Sequence, residues 1–257
     1  MAVALLLAGA VWMGGTAGWR LHEAALRRGC LPFFADATQL ALQPAEAGRV
    51  RFAALGDTGT GSAGARRVAG ALQRVCTREG CDFVALLGDN FYPDGVSSAA
   101  DPLFESAFES VYGELAVPVL PILGNHDVHS PALYQVFHTL QSRRWRMPNF
   151  EYAYEAGPAR FFALNTNCQP FAFWRLEGPV AQAFAGWTFV LGHHSLYSEG
   201  PHGDAPWIGR WLWGDSQPHV DFYLSGHNHL LEHFQRPGER TDYIVSGSGG
   251  AAPYESE

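Results

Sequence analysis

An α/β fold is the class this sequence predicts, on three observations. Five short runs rich in Val, Leu, Ile and Phe each read as a buried strand ending in Gly plus a metal-capable residue. After the first of them, from about Ala63 to Thr77, the pattern predicts a helix, so the first two runs belong to successive strand–helix units. The 257 residues, 47% of them apolar, suffice for one large domain with a sizeable core and exclude a disordered tail.

In order, the runs are RFAALGD ending at Asp57, DFVALLGD at Asp89, VPVLPILGN at Asn125, TFVLGH at His193 and DFYLSGH at His227. In each, Gly permits the tight turn that leaves the next side chain standing at the strand's end. If the strands are parallel neighbours, their C-terminal ends converge on one edge, where open α/β sheets bind ligands. Five such corners, with Tyr92 and His229 beside them, point to a two-metal centre.

The formal charge is −8, and all 17 basic residues are Arg. They are dispersed, with only short pairs such as Arg66-Arg67 and Arg143-Arg144, so no nucleic acid is expected as a stable partner.

The chain divides into residues 1–19, residues 20–48 and a core domain over 49–257. Met1 to Trp19 carries no charged side chain. Three readings of it stand: a secretory signal peptide lacking the usual early basic residue, an uncleaved membrane anchor, and a buried helix. The first two predict export, to a periplasmic, secreted or membrane-anchored location, with membrane association through the N-terminus. Arg20 to Arg28 reads as a short helix and Ala35 to Gly48 as a linker. Cys76 and Cys81 bracket a short loop, a spacing that suits a local disulfide in an oxidising compartment. Cys30 and Cys168 can pair, but spacing does not establish it.

Asp57 in GDTGTG follows the first strand; Asp89 and Tyr92 lie in GDNFYPDG after the second. A carboxylate can bridge two cations through its two oxygens, and Asp89 is the bridging candidate. Tyr92 can reach the same metal as a phenolate, which makes iron(III) the natural occupant. In GNHD, Asn125 offers a carbonyl oxygen to a divalent metal. His126, one residue out of phase, suits substrate contact or proton donation, and Asp127 reads as orienting His126 or capping a helix. His193 is the expected ligand of LGHHSLYS, with His194 either supporting it or structural. His227 and His229 project to one side of an extended segment and can address adjacent ions. His233 reads as surface or supporting, while His22, His129, His138 and His219 lack any constellation.

The motifs GD, GDN, GNHD, GH and GHNH, in this order, resemble the calcineurin-like metallophosphoesterase superfamily. With Tyr92 in GDNFY, RWRMPNFEYAY at 144–154, HHSLYS followed by GPHG at 200–203, and SGSGG at 246–250, the chain is most similar to the small, tartrate-resistant type of purple acid phosphatase. The resemblance covers roughly Arg49 to Gly250. It implies a four-layer αββα sandwich, two mixed β-sheets flanked by helices. It also implies an iron(III) site of Asp57, Asp89, Tyr92 and His229, and a divalent site (Fe, Zn or Mn) of Asp89, Asn125, His193 and His227. His126 and His202 become the pair that binds phosphate and protonates the leaving alcohol.

The implied activity is hydrolysis of small phosphate monoesters by in-line attack of a metal-bound hydroxide, with no covalent intermediate. Two alternatives are a phosphodiesterase or nucleotidase of the same superfamily, and a non-catalytic metal-binding surface protein. Some features depart from the family. It continues for several strands beyond SGxGG, its usual LDT reads Leu164-Asn165-Thr166, and the segment after His202 lacks the Cys expected to partner Cys168.

Overall fold

The computed structural model describes residues 29, 30, 40 and 42–254. The readings for Met1 to Trp19 and for Arg20 to Arg28 lie outside the described residues.

Strands β1 (Phe52–Leu55), β2 (Phe83–Leu86) and β3 (Val119–Pro121) form a parallel sheet in the order β1-β2-β3. All four side chains of β2 are buried, as expected for a central parallel strand covered on both faces. Helix α1 (Ala63–Glu79) links β1 to β2, over nearly the predicted range. Ser62 caps it by accepting from Ala65 N at 3.2 Å, and the Gly80 N–H returns to Cys76 O. Ala65, Ala69 and Leu72 bury the face that rests against the sheet, at helical spacing.

The second sheet runs β4-β5-β6-β7-β9-β8, from β4 (Tyr152–Ala156), β5 (Ala159–Ala163), β6 (Trp187–Leu191), β7 (Phe222–Ser225), β8 (Leu231–Gln235) and β9 (Asp242–Ser246). It is mixed: β5, β6, β7 and β9 are parallel, while β4 and β8 pair antiparallel at the edges. The smaller sheet is parallel throughout rather than mixed, because each of its strands is reached by a crossover.

Register explains the joint between the sheets. Tyr154, Phe161, Phe189 and Phe222 sit opposite one another on four successive strands, forming one row of stacked rings. That row meets Phe52 and Phe83 edge-on, with Phe161 5.1 Å from Phe52 and 5.3 Å from Phe83. Such pairs contribute about 0.5–1.5 kcal/mol each beyond area burial. On the outer face, α3 (Phe171–Val180) and α4 (Trp207–Ser216) pack Phe173, Leu176, Val180 and Trp213 onto Val190, Tyr223 and Tyr243. Trp213 Nε1 donates to Tyr243 Oη at 2.9 Å, which satisfies the buried indole. Helix α2 (Leu133–His138) lies after β3. The layers are therefore helix, sheet, sheet, helices, the predicted αββα sandwich.

The sheets meet at their C-terminal ends. Gly56 N donates to Ser246 O at 2.7 Å, and Gly249 N donates to Gly56 O at 3.0 Å. A Cβ at Gly56 would lie 3.0 Å from Gly226 Cα, so both corners need glycine to approach this closely. Cys76 pairs with Cys81 as the spacing suggested, and Cys30 pairs with Cys168 across 138 residues. The pairing left open by the sequence thus exists, with Cys30 as the partner of Cys168. Among the described residues no helix is long and apolar enough to cross a membrane.

Candidate metal centre

Asp57, Asp89 and Asn125 stand just beyond β1, β2 and β3; His193 and His227 stand beyond β6 and β7. Two sheets, rather than one edge, supply the five corners, and the seam at Gly56 and Gly226 brings them together. Asp57, Asp89 and His227 adopt φ of 60°, 54° and 70°, a left-handed conformation unusual for non-glycine residues. Backbone strain of this kind collects at functional sites because it aims side chains that a relaxed turn would not.

Asp89 lies at the middle of the cluster. Its Oδ2 accepts from Tyr92 Oη at 3.0 Å, while its Oδ1 lies 3.5 Å from His193 Nε2. Tyr92 Oη, with its single proton shared between the two carboxylates, is also 3.1 Å from Asp57 Oδ1 and 3.3 Å from His229 Nε2. On the other side, His193 Nε2 is 2.9 Å from Asn125 Oδ1, and the His193 and His227 rings are 5.0 Å apart. All seven predicted ligands are thus brought to one place, in two groups that share Asp89. Ligand atoms of Asp57, Asp89 and His193 lie within 4.8 Å of one another.

Backbone carbonyls orient the imidazoles. His193 Nδ1 is 2.8 Å from Leu87 O and His229 Nδ1 is 2.9 Å from Ala252 O, leaving Nε2 of each for the centre. Burial opposes the charged form of His193, but the Asp89 and Asp57 carboxylates outweigh it and raise its pKa. His229 is raised in the same way, by its hydrogen bond to Asp57 and that carboxylate's charge against burial. Burial, then His193 and His194, hold His227 far below the ordinary value, so it presents a free lone pair. Burial, then the Asp57 and Asp89 charges, push the Tyr92 phenol far up.

The donor set fits two cations. Asp57 and Asp89 are 0% and 2% exposed. Among the described residues, only histidines pair with them within 4.0 Å. Buried carboxylates without a cation are costly, and a bound metal removes that cost. The same cation would take the place of the Tyr92 proton.

His126 Nδ1 lies 2.6 Å from Pro93 O, which turns Nε2 toward the centre, 4.0 Å from Asp89 Oδ2. His202 stacks on His227 at 4.2 Å, so the least supported sequence assignment also arrives at the site. His194 Nδ1 bonds Thr166 Oγ1 at 2.8 Å; burial first and His193 next pull its pKa down to about 3. His129 has a constellation that the sequence did not suggest: it bonds Asp94 at 3.1 Å and lies 5.3 Å from the His126 ring. His233 is exposed beside Asp242, as read.

Asp127 corrects its reading, for it neither orients the His126 ring nor caps a helix. Fully buried, it accepts from Asn90 N, Asn90 Nδ2, Phe91 N, Gly124 N and Gln135 Nε2. It therefore clamps the corner carrying Asp89 to the corner carrying Asn125. Thr166, which accepts from His193 N and His194 N, and Tyr254, stacked on His229 at 4.5 Å, were missed. Both lie outside any ligand motif, so spacing gave no signal for them. A cavity of about 510 Å³ opens beside the centre, lined by His129, Asn167, Gln169, His194, His202 and His227 among others.

Comparison with known proteins agrees with this geometry. The calcineurin-like phosphoesterase family matches residues 50–231. The chain is 30% identical over 237 residues to purple acid phosphatase 7 of Arabidopsis thaliana, spanning 80% of this chain and 71% of that protein. It is 30% identical over 260 residues to tartrate-resistant acid phosphatase type 5 of Rattus norvegicus, spanning 85% and 76% respectively. Among solved structures it is similar to GAP50, the anchor in the inner membrane complex of Plasmodium, with TM-score 0.69 and 25% identity over 81% of this chain and 74% of that one.

Proposed function

The chain belongs to the calcineurin-like phosphoesterase family, and from that membership we propose that it is a binuclear-metal acid phosphatase acting on phosphate monoesters. The observation that carries this reading is the division of Asp89, with Oδ2 toward Tyr92 and Oδ1 toward His193. Asp57, Asp89, Tyr92 and His229 would hold iron(III). Asp89, Asn125, His193 and His227 would hold a divalent iron, zinc or manganese ion. When bound, two such cations neutralise the phosphoryl oxygens and lower the pKa of a coordinated water.

The chain's own residues supply the rest. His126, fixed at Nδ1 by Pro93 O, would deliver the Nε2 proton to the departing alcohol. His202 would hold a phosphoryl oxygen beside His227. Full burial of Asp57 and His193 keeps water away from the inner ligands, while the cavity next to His202 receives the leaving group.

The test is a visible spectrum with metal analysis on aerobically purified protein, alongside rates on a monoester and a diester. A purple band lost in Tyr92→Phe, about two metals per chain, and preference for the monoester support the proposal. Colourless protein carrying zinc, with faster diester cleavage, would instead support a phosphodiesterase. A second reading, a non-catalytic metal-binding anchor, is suggested by the likeness to GAP50, which is described as an anchor. Retention of all seven ligand candidates argues for catalysis, and absence of turnover on any phosphate ester would reverse that preference. The two disulfides support export to an oxidising compartment; a reporter fused behind residue 48 would reach the medium or periplasm only if that holds.

A further inference from the structure

The residues after SGSGG turn back across the metal centre and are tied to its ligands. Ala251 N donates to Asp57 O at 2.9 Å, Ala252 O meets His229 Nδ1 at 2.9 Å, and Tyr254 N donates to His229 O at 3.3 Å. So anchored, the Tyr254 ring lies parallel to the His229 ring, 4.5 Å away and 5° from coplanar. Its Oη is 2.7 Å from His202 Nε2. One phenol therefore touches a candidate iron ligand with its face and the candidate phosphate-binding histidine with its hydroxyl.

His202 needs such a tie. It stands in a loop whose neighbours Glu199 and Pro201 are exposed. Its backbone N–H donates to Asn228 Oδ1 at 3.1 Å. Asn228 is fully buried between His227 and His229. The His202 ring is fixed by its stack on His227 and by Tyr254 Oη, and without the hydroxyl it could rotate within the plane of that stack. We propose that Tyr254 is a positioning residue, holding the His202 imidazole in register with the metal centre. This inference rests on the phosphatase reading.

Tyr254→Phe keeps the stack on His229 and removes only the hydroxyl. It should lower kcat/KM on a monoester about tenfold, the scale of one lost hydrogen bond, with metal content and melting temperature unchanged. In a His202→Ala background the same substitution should cost nothing further, because the group it positions is gone. In the metal-free full-length protein, the ring ¹⁵N signal of His202 Nε2 should move in Tyr254→Phe, a readout independent of turnover. Wild-type kcat/KM in Tyr254→Phe, losses that multiply in the double variant, or an unmoved ¹⁵N signal would each overturn the positioning role. If the wild-type protein hydrolyses no monoester while the ¹⁵N signal still moves, the contact stands and the phosphatase reading is what fails.

Discussion

Asp57 Oδ2 accepts the backbone N–H of His227 at 2.8 Å, and both residues hold a positive φ, 60° and 70°. The bond joins the two sheets at their seam. Each residue occupies a conformation that costs about 1–2 kcal/mol for an L-residue, and the contact helps to fix both.

Asp57→Asn separates stability from metal binding. Asn tolerates the left-handed conformation and retains an oxygen for the His227 N–H. It also removes a fully buried carboxylate whose ion-pair partner among the described residues is His229, at 3.3 Å. Metal-free Asp57→Asn should therefore be more stable than metal-free wild type, by roughly 1–3 kcal/mol. The metal-loaded order should reverse, since the variant binds its metals more weakly. Urea unfolding with and without chelator checks both signs, and a less stable metal-free variant would show that the carboxylate is not the source of strain.

Asp127→Ala should be among the most damaging substitutions outside the ligand set. It leaves the amides of Asn90, Phe91 and Gly124 without their acceptor in a buried region. A loss of roughly 3–5 kcal/mol is expected from several orphaned donors. The corners of Asp89 and Asn125 should also loosen, so metal content should fall with stability. Full metal content in a destabilised Asp127→Ala protein would show that the clamp does not set the spacing of the ligands.

The gathering of the seven ligand candidates was legible because each sits in a Gly corner or within a few residues of one, and apolar strand runs are local signals. Helix α1 was legible for the same reason, its buried Ala65, Ala69 and Leu72 repeating at helical spacing. What escaped depends on contacts distant in sequence. Asp127 meets Asn90 across 37 residues, and Tyr254 meets His202 across 52. Neither has a periodicity that predicts its partner. The split of the five corners between two sheets was hidden likewise, since parallel strands in either sheet carry the same apolar pattern. The left-handed backbone at Asp57, Asp89 and His227 leaves no trace in composition.

The Cys30–Cys168 disulfide should be the larger of the two in its effect on stability. It closes a separation of 138 residues, against 5 for Cys76–Cys81. Cross-linking a long loop restricts the unfolded chain more, and about 2–4 kcal/mol is typical. Thermal unfolding of Cys30→Ser/Cys168→Ser against Cys76→Ser/Cys81→Ser compares them directly. If the short-loop variant loses more, restriction of the unfolded chain is not the main contribution here.

His138 gives a pH dependence whose sign can be worked out away from the metal centre. Its ring stacks 3.7 Å from Phe104, and Nε2 lies 3.1 Å from Glu109 Oε1. Nδ1 is buried without a hydrogen-bond partner among the described residues, so a proton there would have no acceptor among them. Burial pulls the pKa below the ordinary 6.5, with Glu109 opposing. Glu109 is shared with Arg144 at 3.4 Å, which weakens that opposition. With the folded pKa depressed, the unfolded chain binds the proton first as pH falls, and stability drops from about pH 6.5 down to the folded pKa. Above pH 6.5 the contribution is fully present. In His138→Gln this dependence should vanish, so the fall in urea midpoint between pH 7.5 and 5.5 should be smaller than in wild type. An equal fall in both proteins would mean that Glu109, and not burial, decides the charge of His138 in the folded state.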